Sequence, residues 1–94
     1  MKVKFLRKAL RDIDDEAAYI ATDSPQAAHH FMVSVRQSTD LLCIYPAMGR
    51  PGRVAGTREL VMTGYSYLIP YRVKEDAVEI LRIFHSMRKP PRKW

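Results

Sequence analysis

The apolar residues of this chain keep two different periods, and the change between them fixes its class of fold. Leu6, Leu10, Ile13, Ala17 and Ile20 recur at steps of four and three, the stripe of one amphipathic helix. Ala28, Phe31, Val35 and Leu42 give a second helix its buried stripe, with Met32 beside it. Asp23-Ser24-Pro25 separates the two: Ser24 can cap orphan backbone N–H groups, and Pro25 has the fixed φ suited to a first helical position. Pro46 marks the end of the second helix. Two long helices joined by so short a link pack as an antiparallel hairpin. The face of the first helix that carries Lys8, Arg11, Asp12, Asp15 and Glu16 is read most simply as solvated, with contact to a partner protein as the sharper alternative.

Elsewhere the period is two. Val3 and Phe5 alternate with Lys2 and Lys4 as in a half-buried strand. Residues 57–63 set Arg58, Leu60 and Met62 on one face against Glu59 and Val61 on the other. A turn-like Gly64-Tyr65-Ser66 leads into a strand over 67–73, and the polar turn Lys74-Glu75-Asp76 into a third over 77–85. Pro70 is awkward in the middle strand because proline cannot donate to a ladder; a bulge or an unpaired N–H position would accommodate it. The expected architecture is α+β: a helical hairpin on one face of a small, mostly antiparallel β-sheet, in the order β-α-α-β-β-β. Ninety-four residues make one domain, 1–94, with a basic, proline-broken and extended tail at 86–94. A core of this size leaves room for a partner to supply much of the working stability.

Charge divides the chain in two. Residues 1–45 carry six basic and six acidic side chains, whereas residues 46–94 carry ten basic and four acidic, the whole of the net +6. Such a field raises encounter rates with a polyanion or an acidic protein. The opening residues run into charges rather than a long apolar segment, so no signal peptide and no membrane span are expected. A lone Cys43 in the apolar run Leu41-Leu-Cys-Ile44 is read as a small core residue suited to a reducing cytoplasm. Gly49, Gly52, Gly56 and Gly64 follow no phosphate-loop or dinucleotide spacing. His29 and His30 are adjacent, hence about 100° apart on a helix, and make no shared metal site. No metal and no cofactor is implied.

The remaining candidate is a cationic face: Arg50, Arg53, Arg58, Arg82 and His85 on or beside the strands, followed by Arg88, Lys89, Arg92 and Lys93. Arginine offers a planar, permanent positive charge to a phosphorane, and histidine an acid or base near neutral pH. Tyr65, Tyr67 and Tyr71 invite a base-stacking role, but their placement on one alternating strand fits packing better.

Gly49-Arg-Pro-Gly-Arg-Val54, Gly56-Thr-Arg-Glu-Leu60, Pro70-Tyr-Arg-Val73 and Arg82-Ile-Phe-His85 together resemble the second half of the RelE/ParE toxin superfamily of bacterial type II toxin–antitoxin pairs. The first two motifs look more like the ParE branch. That resemblance implies inhibition of DNA gyrase by a docking surface without catalytic residues; Arg50, Arg53, Arg88, Lys89, Arg92, Lys93 and Trp94 are the target-binding candidates. Arg58 would then pair with a carboxylate such as Glu59 or Glu79 across the sheet, or stay exposed. The RelE branch implies the alternative, a ribosome-dependent mRNA endonuclease; Arg58, Arg82 and His85 are its catalytic candidates. A third possibility is an inactive member that only binds. The resemblance also implies a cognate acidic antitoxin, for which Arg7, Arg11, Tyr19, Leu60 and Met62 are the candidate contacts, and a cytoplasmic setting.

Overall fold

The computed structural model describes every residue except Thr63, Tyr65 and Lys89. Strand β1 (Lys2–Phe5) leads into helices α1 (Arg7–Ala21) and α2 (Pro25–Ile44), then β2 (Arg50–Pro51), β3 (Arg58–Val61), β4 (Tyr67–Lys74), β5 (Ala77–Ile80) and β6 (Phe84–His85). Among the described residues the strands form one sheet in the order β1-β5-β4-β3-β2, with β6 on the far end of β4. The β1–β5 pair is parallel and the other pairs are antiparallel, so the sheet is mixed.

Helix α2 starts as its sequence dictates: the Ser24 hydroxyl accepts from the Ala27 N–H at 3.1 Å and Pro25 takes the first helical position. Ala28, Phe31, Val35, Thr39 and Leu42 are buried along it. They meet Leu60, Met62, Tyr67, Ile69, Tyr71, Val78, Ile80 and Ile83 from one face of the sheet, which with Ala9 and Ile13 of α1 make the core. Cys43 is half-buried, its thiol near the Thr39 carbonyl.

The face of α1 turned inward is the expected apolar stripe, shifted toward Ala9. Ile13 is buried and Ala17 and Ile20 pack against the core as the stripe indicated, Ala9 joins them, and Leu10 is half exposed. At about 100° per residue this places Glu16 and Asp12 on the Ala9 side of the buried line. Both carboxylates, expected in solvent, are largely covered, at 14% and 13% exposure for Asp12 and Glu16. Their arginine partners explain why they are covered.

The expected third strand over 77–85 is two strands, and Pro70 is the cause. Tyr71 pairs with Ile80 and Leu68 with Phe84, so Ile69 and Pro70 face three residues, Leu81, Arg82 and Ile83. Pro70 has no N–H to give. Its carbonyl takes both the Leu81 and the Arg82 N–H groups, at 2.9 and 3.5 Å, and one extra residue is bulged out opposite it. The bulge lies in the partner strand rather than at the proline itself.

Candidate functional site

Two regions bear the candidate arginines, and each is organised by a buried acceptor. The first is the glycine-punctuated loop before β3. Tyr71, fully buried in β4, donates its hydroxyl proton to the Pro46 carbonyl and accepts from the Gly49 N–H, both at 2.8 Å. A side chain at position 49 would start 2.7 Å from that ring and hydroxyl and 2.9 Å from the Glu59 carbonyl, so only glycine fits. Arg58 donates to the Gly49 carbonyl at 2.7 Å and to that of Ala47 at 3.4 Å. It is not paired with Glu59 or Glu79 as expected. Glu59 is buried and instead accepts from Arg50 at 3.3 Å and from the Arg53 N–H at 3.0 Å. Glu79 takes Arg72 at 2.6 Å, and that guanidinium holds its carboxyl below the ordinary value of 4.5.

The second region is the bulge together with β6 and the tail. Arg82 grips Asp12 of α1 through two bonds, Nε to Oδ2 at 2.7 Å and Nη2 to Oδ1 at 2.9 Å. Oδ2 also accepts from the Ile83 N–H at 3.0 Å, so one carboxylate satisfies both the side chain and a backbone donor freed by the bulge. The Asp12 carboxylate raises the pKa of Arg82 further. One helical turn on, Glu16 accepts from the Tyr67 hydroxyl at 2.6 Å and pairs with Arg88. Burial first, and then the bond to Glu16, push the Tyr67 phenol above its usual range. Arg88 also lies over the exposed Tyr19 ring, 5.4 Å from its centroid.

His85 is half-buried at the end of β6. Its Nδ1 accepts from the Met87 N–H at 3.1 Å and its ring meets Tyr67 edge-on at 5.2 Å. The tail beyond turns back rather than extending freely. Trp94 stacks on Phe84 at 5.6 Å with the Arg53 guanidinium 5.5 Å from its ring, and Lys8 donates to the Trp94 carbonyl at 3.2 Å. Arg82 Nη1 reaches the Lys93 carbonyl at 3.3 Å.

The fold therefore brings Arg53 and Trp94 together, and holds Arg82 and Arg88 on two acids of α1 one helical turn apart. Arg50, Arg92 and Lys93 stay exposed, while Lys89 and Tyr65 lie outside the described residues. Arg58, Arg82 and His85 each answer to a different partner. Among the expected partner contacts, Arg7, Arg11 and Tyr19 are exposed on α1. Leu60 and Met62 cannot serve as contacts: both are buried under the helices, because their face of β3 is the core face. A shallow groove of about 210 Å³ lined by Phe5, Leu10, Ile13, Met32 and Val35 offers the apolar surface that those two residues do not. Sequence reasoning missed Asp12, Glu16 and Phe84. The i, i+4 spacing of the two acids was the only signal for them, and it also describes an ordinary solvated face.

Residues 3–90 match the family model for the ParE toxin of type II toxin–antitoxin systems, parDE. The candidate toxin Y4kP of Sinorhizobium fredii is 42% identical over 90 residues, 96% of this chain and 93% of that protein. Toxin RelE2 of Caulobacter vibrioides is 37% identical over 81 residues, 86% and 90% of the two chains. In structure, a chain from the chromosomal ParDE system of P. aeruginosa superposes with a TM-score of 0.79 and 30% identity, covering 90% of this chain and 95% of that one. A conserved hypothetical protein from Helicobacter pylori shares the fold at a TM-score of 0.55 and 18% identity, with 88% and 91% covered.

Proposed function

The chain belongs to the ParE toxin family of type II toxin–antitoxin systems, and on that premise we propose that it arrests growth by docking on DNA gyrase rather than by cutting RNA. One observation carries this choice. The three residues a nuclease would need are each engaged in holding the fold: Arg58 on the Gly49 carbonyl, Arg82 on Asp12, and His85 Nδ1 on the Met87 N–H. A phosphorane clamp needs guanidinium N–H groups that point outward, whereas those of Arg82 are spent on Asp12 and the Lys93 carbonyl, and His85 keeps only Nε2 for proton transfer. A poison that traps another enzyme needs neither; it needs a cationic surface with an aromatic anchor. Arg50, Arg53, Arg88, Arg92, Lys93 and Trp94 would supply it, in the cytoplasm, where that target works.

The family implies a cognate antitoxin. Its docking site on this chain would be the hairpin groove at Leu10 and Met32, whose lining also carries Asp14 and Arg36; Arg7, Arg11 and Tyr19 are further exposed contacts on α1. An amphipathic helix suits such a groove: apolar anchors at helical spacing fill it while a carboxylate meets Arg36 at its edge.

Purified chain, freed of antitoxin, is expected to inhibit supercoiling by gyrase at concentrations that arrest growth, and added antitoxin to restore it. Unchanged supercoiling at those concentrations would remove the gyrase assignment. Cleaved messenger RNA on translating ribosomes, lost in His85→Ala, would install the endonuclease in its place.

A further inference from the structure

The docked tail occupies the groups that the proposed function requires. Trp94 packs against both the Phe84 ring and the Arg53 guanidinium, and its backbone is tied down by Lys8 while that of Lys93 is tied by Arg82. In this arrangement the half-buried indole is committed to Phe84 and Arg53, and the otherwise exposed Arg53 is committed in part to the indole. We propose that residues 90–94 form an intramolecular strap that withdraws Trp94 and Arg53 from the target-docking face, and that the toxin acts when the strap lifts. The proposal rests on the docking reading above, but not on which machine is docked.

The strap is built to be reversible. Trp94 Nε1 is buried with no hydrogen-bond acceptor, so closing it forfeits a bond that water supplies when it opens. The attachments that offset this loss are individually weak: one offset aromatic pair, one exposed cation–π contact and two single bonds to carbonyls. Opposing terms of similar size leave the open state populated enough to be selected by a target that binds it better. The clamp of Arg82 on Asp12 is different. It is bidentate and largely covered, so it keeps the root of the strap fixed on α1 while the far end moves.

Trp94 is the only tryptophan of the chain, so its fluorescence reads the strap directly. Acrylamide should quench the purified wild-type chain weakly. Phe84→Ala removes the stacking partner without touching a proposed docking residue, and should raise the quenching constant roughly three- to tenfold. The same substitution should lower the expression level needed for growth arrest by a similar factor. Phe84→Leu and Lys8→Met repeat both measurements if circular dichroism shows that Phe84→Ala fails to fold. Two results would overturn the strap: a wild-type Trp94 as accessible as free indole, or a released Trp94 with unchanged or weaker arrest. Growth arrest does not depend on the target's identity, so failure of the gyrase assay leaves this test intact.

Discussion

The loop before β3 and the bulge before β6 each immobilise two arginines, but over very different distances along the chain. Arg50 and Arg58 find their acceptors 9 and 11 residues away, in Glu59 and in the carbonyls of Gly49 and Ala47. Arg82 and Arg88 find theirs 70 and 72 residues away, in Asp12 and Glu16. The local arrangement shapes a loop. The remote one joins the end of the sheet to the first helix, and so ties together the two ends of the domain. A bond that closes a long loop must overcome more chain entropy, though the cost grows only slowly with length. What sets the two apart is burial: the Asp12–Arg82 pair is mostly covered, whereas Arg50 is largely exposed.

The largest expected consequence stems from that burial. Asp12→Ala should cost about 3 kcal/mol, because it strands a covered guanidinium and the Ile83 N–H together. Urea denaturation measures it, and a loss below about 1 kcal/mol would reduce the clamp to the rank of a surface pair. The local region should respond less. Tyr71→Phe leaves the Gly49 N–H and Pro46 carbonyl without their buried partner, for about 2 kcal/mol, with the core packing of the ring kept. If this substitution proves the costlier of the two, the ranking of remote over local is reversed.

The smallest effect is a pH dependence on the outer face of the sheet, where Arg72 meets Glu79. Glu79 has a depressed pKa in the folded chain, held down chiefly by its bond to Arg72. Its contribution is therefore present above the unfolded value of 4.5 and lost as pH falls below it through the folded value. Glu79→Gln should flatten the acid limb of stability against pH below 4.5, where Glu79 takes up its proton, and leave the slope near neutrality unchanged. An unchanged limb would assign that transition to other carboxylates.

Much of the fold was legible in the chain because its signals are local. Ser24-Pro25 caps a helix wherever a helix begins, alternating apolar residues make a half-buried strand, and Pro70 cannot donate to a ladder in any context. The motif Gly49-Arg-Pro-Gly52 was legible as a motif and opaque as a cause: its first glycine is required by the hydroxyl of Tyr71, which lies two strands away. The candidate site was less legible. Leu60 and Met62 alternate as a partner-binding face would, and period two cannot say which face the helices cover.

The sequence by itself determined the class of fold, the concentration of positive charge in the second half and the resemblance to a toxin family. Those come from periodicity, composition and short motifs, which need no knowledge of what lies across the core. Only the tertiary structure decided that Asp12 and Glu16 leave solvent for Arg82 and Arg88, that the proline shifts its bulge into the neighbouring strand, and that Trp94 closes on Phe84. Each is a pairing of groups far apart in the chain, and a pairing depends on the geometry that brings its members within bonding distance, which no single segment encodes.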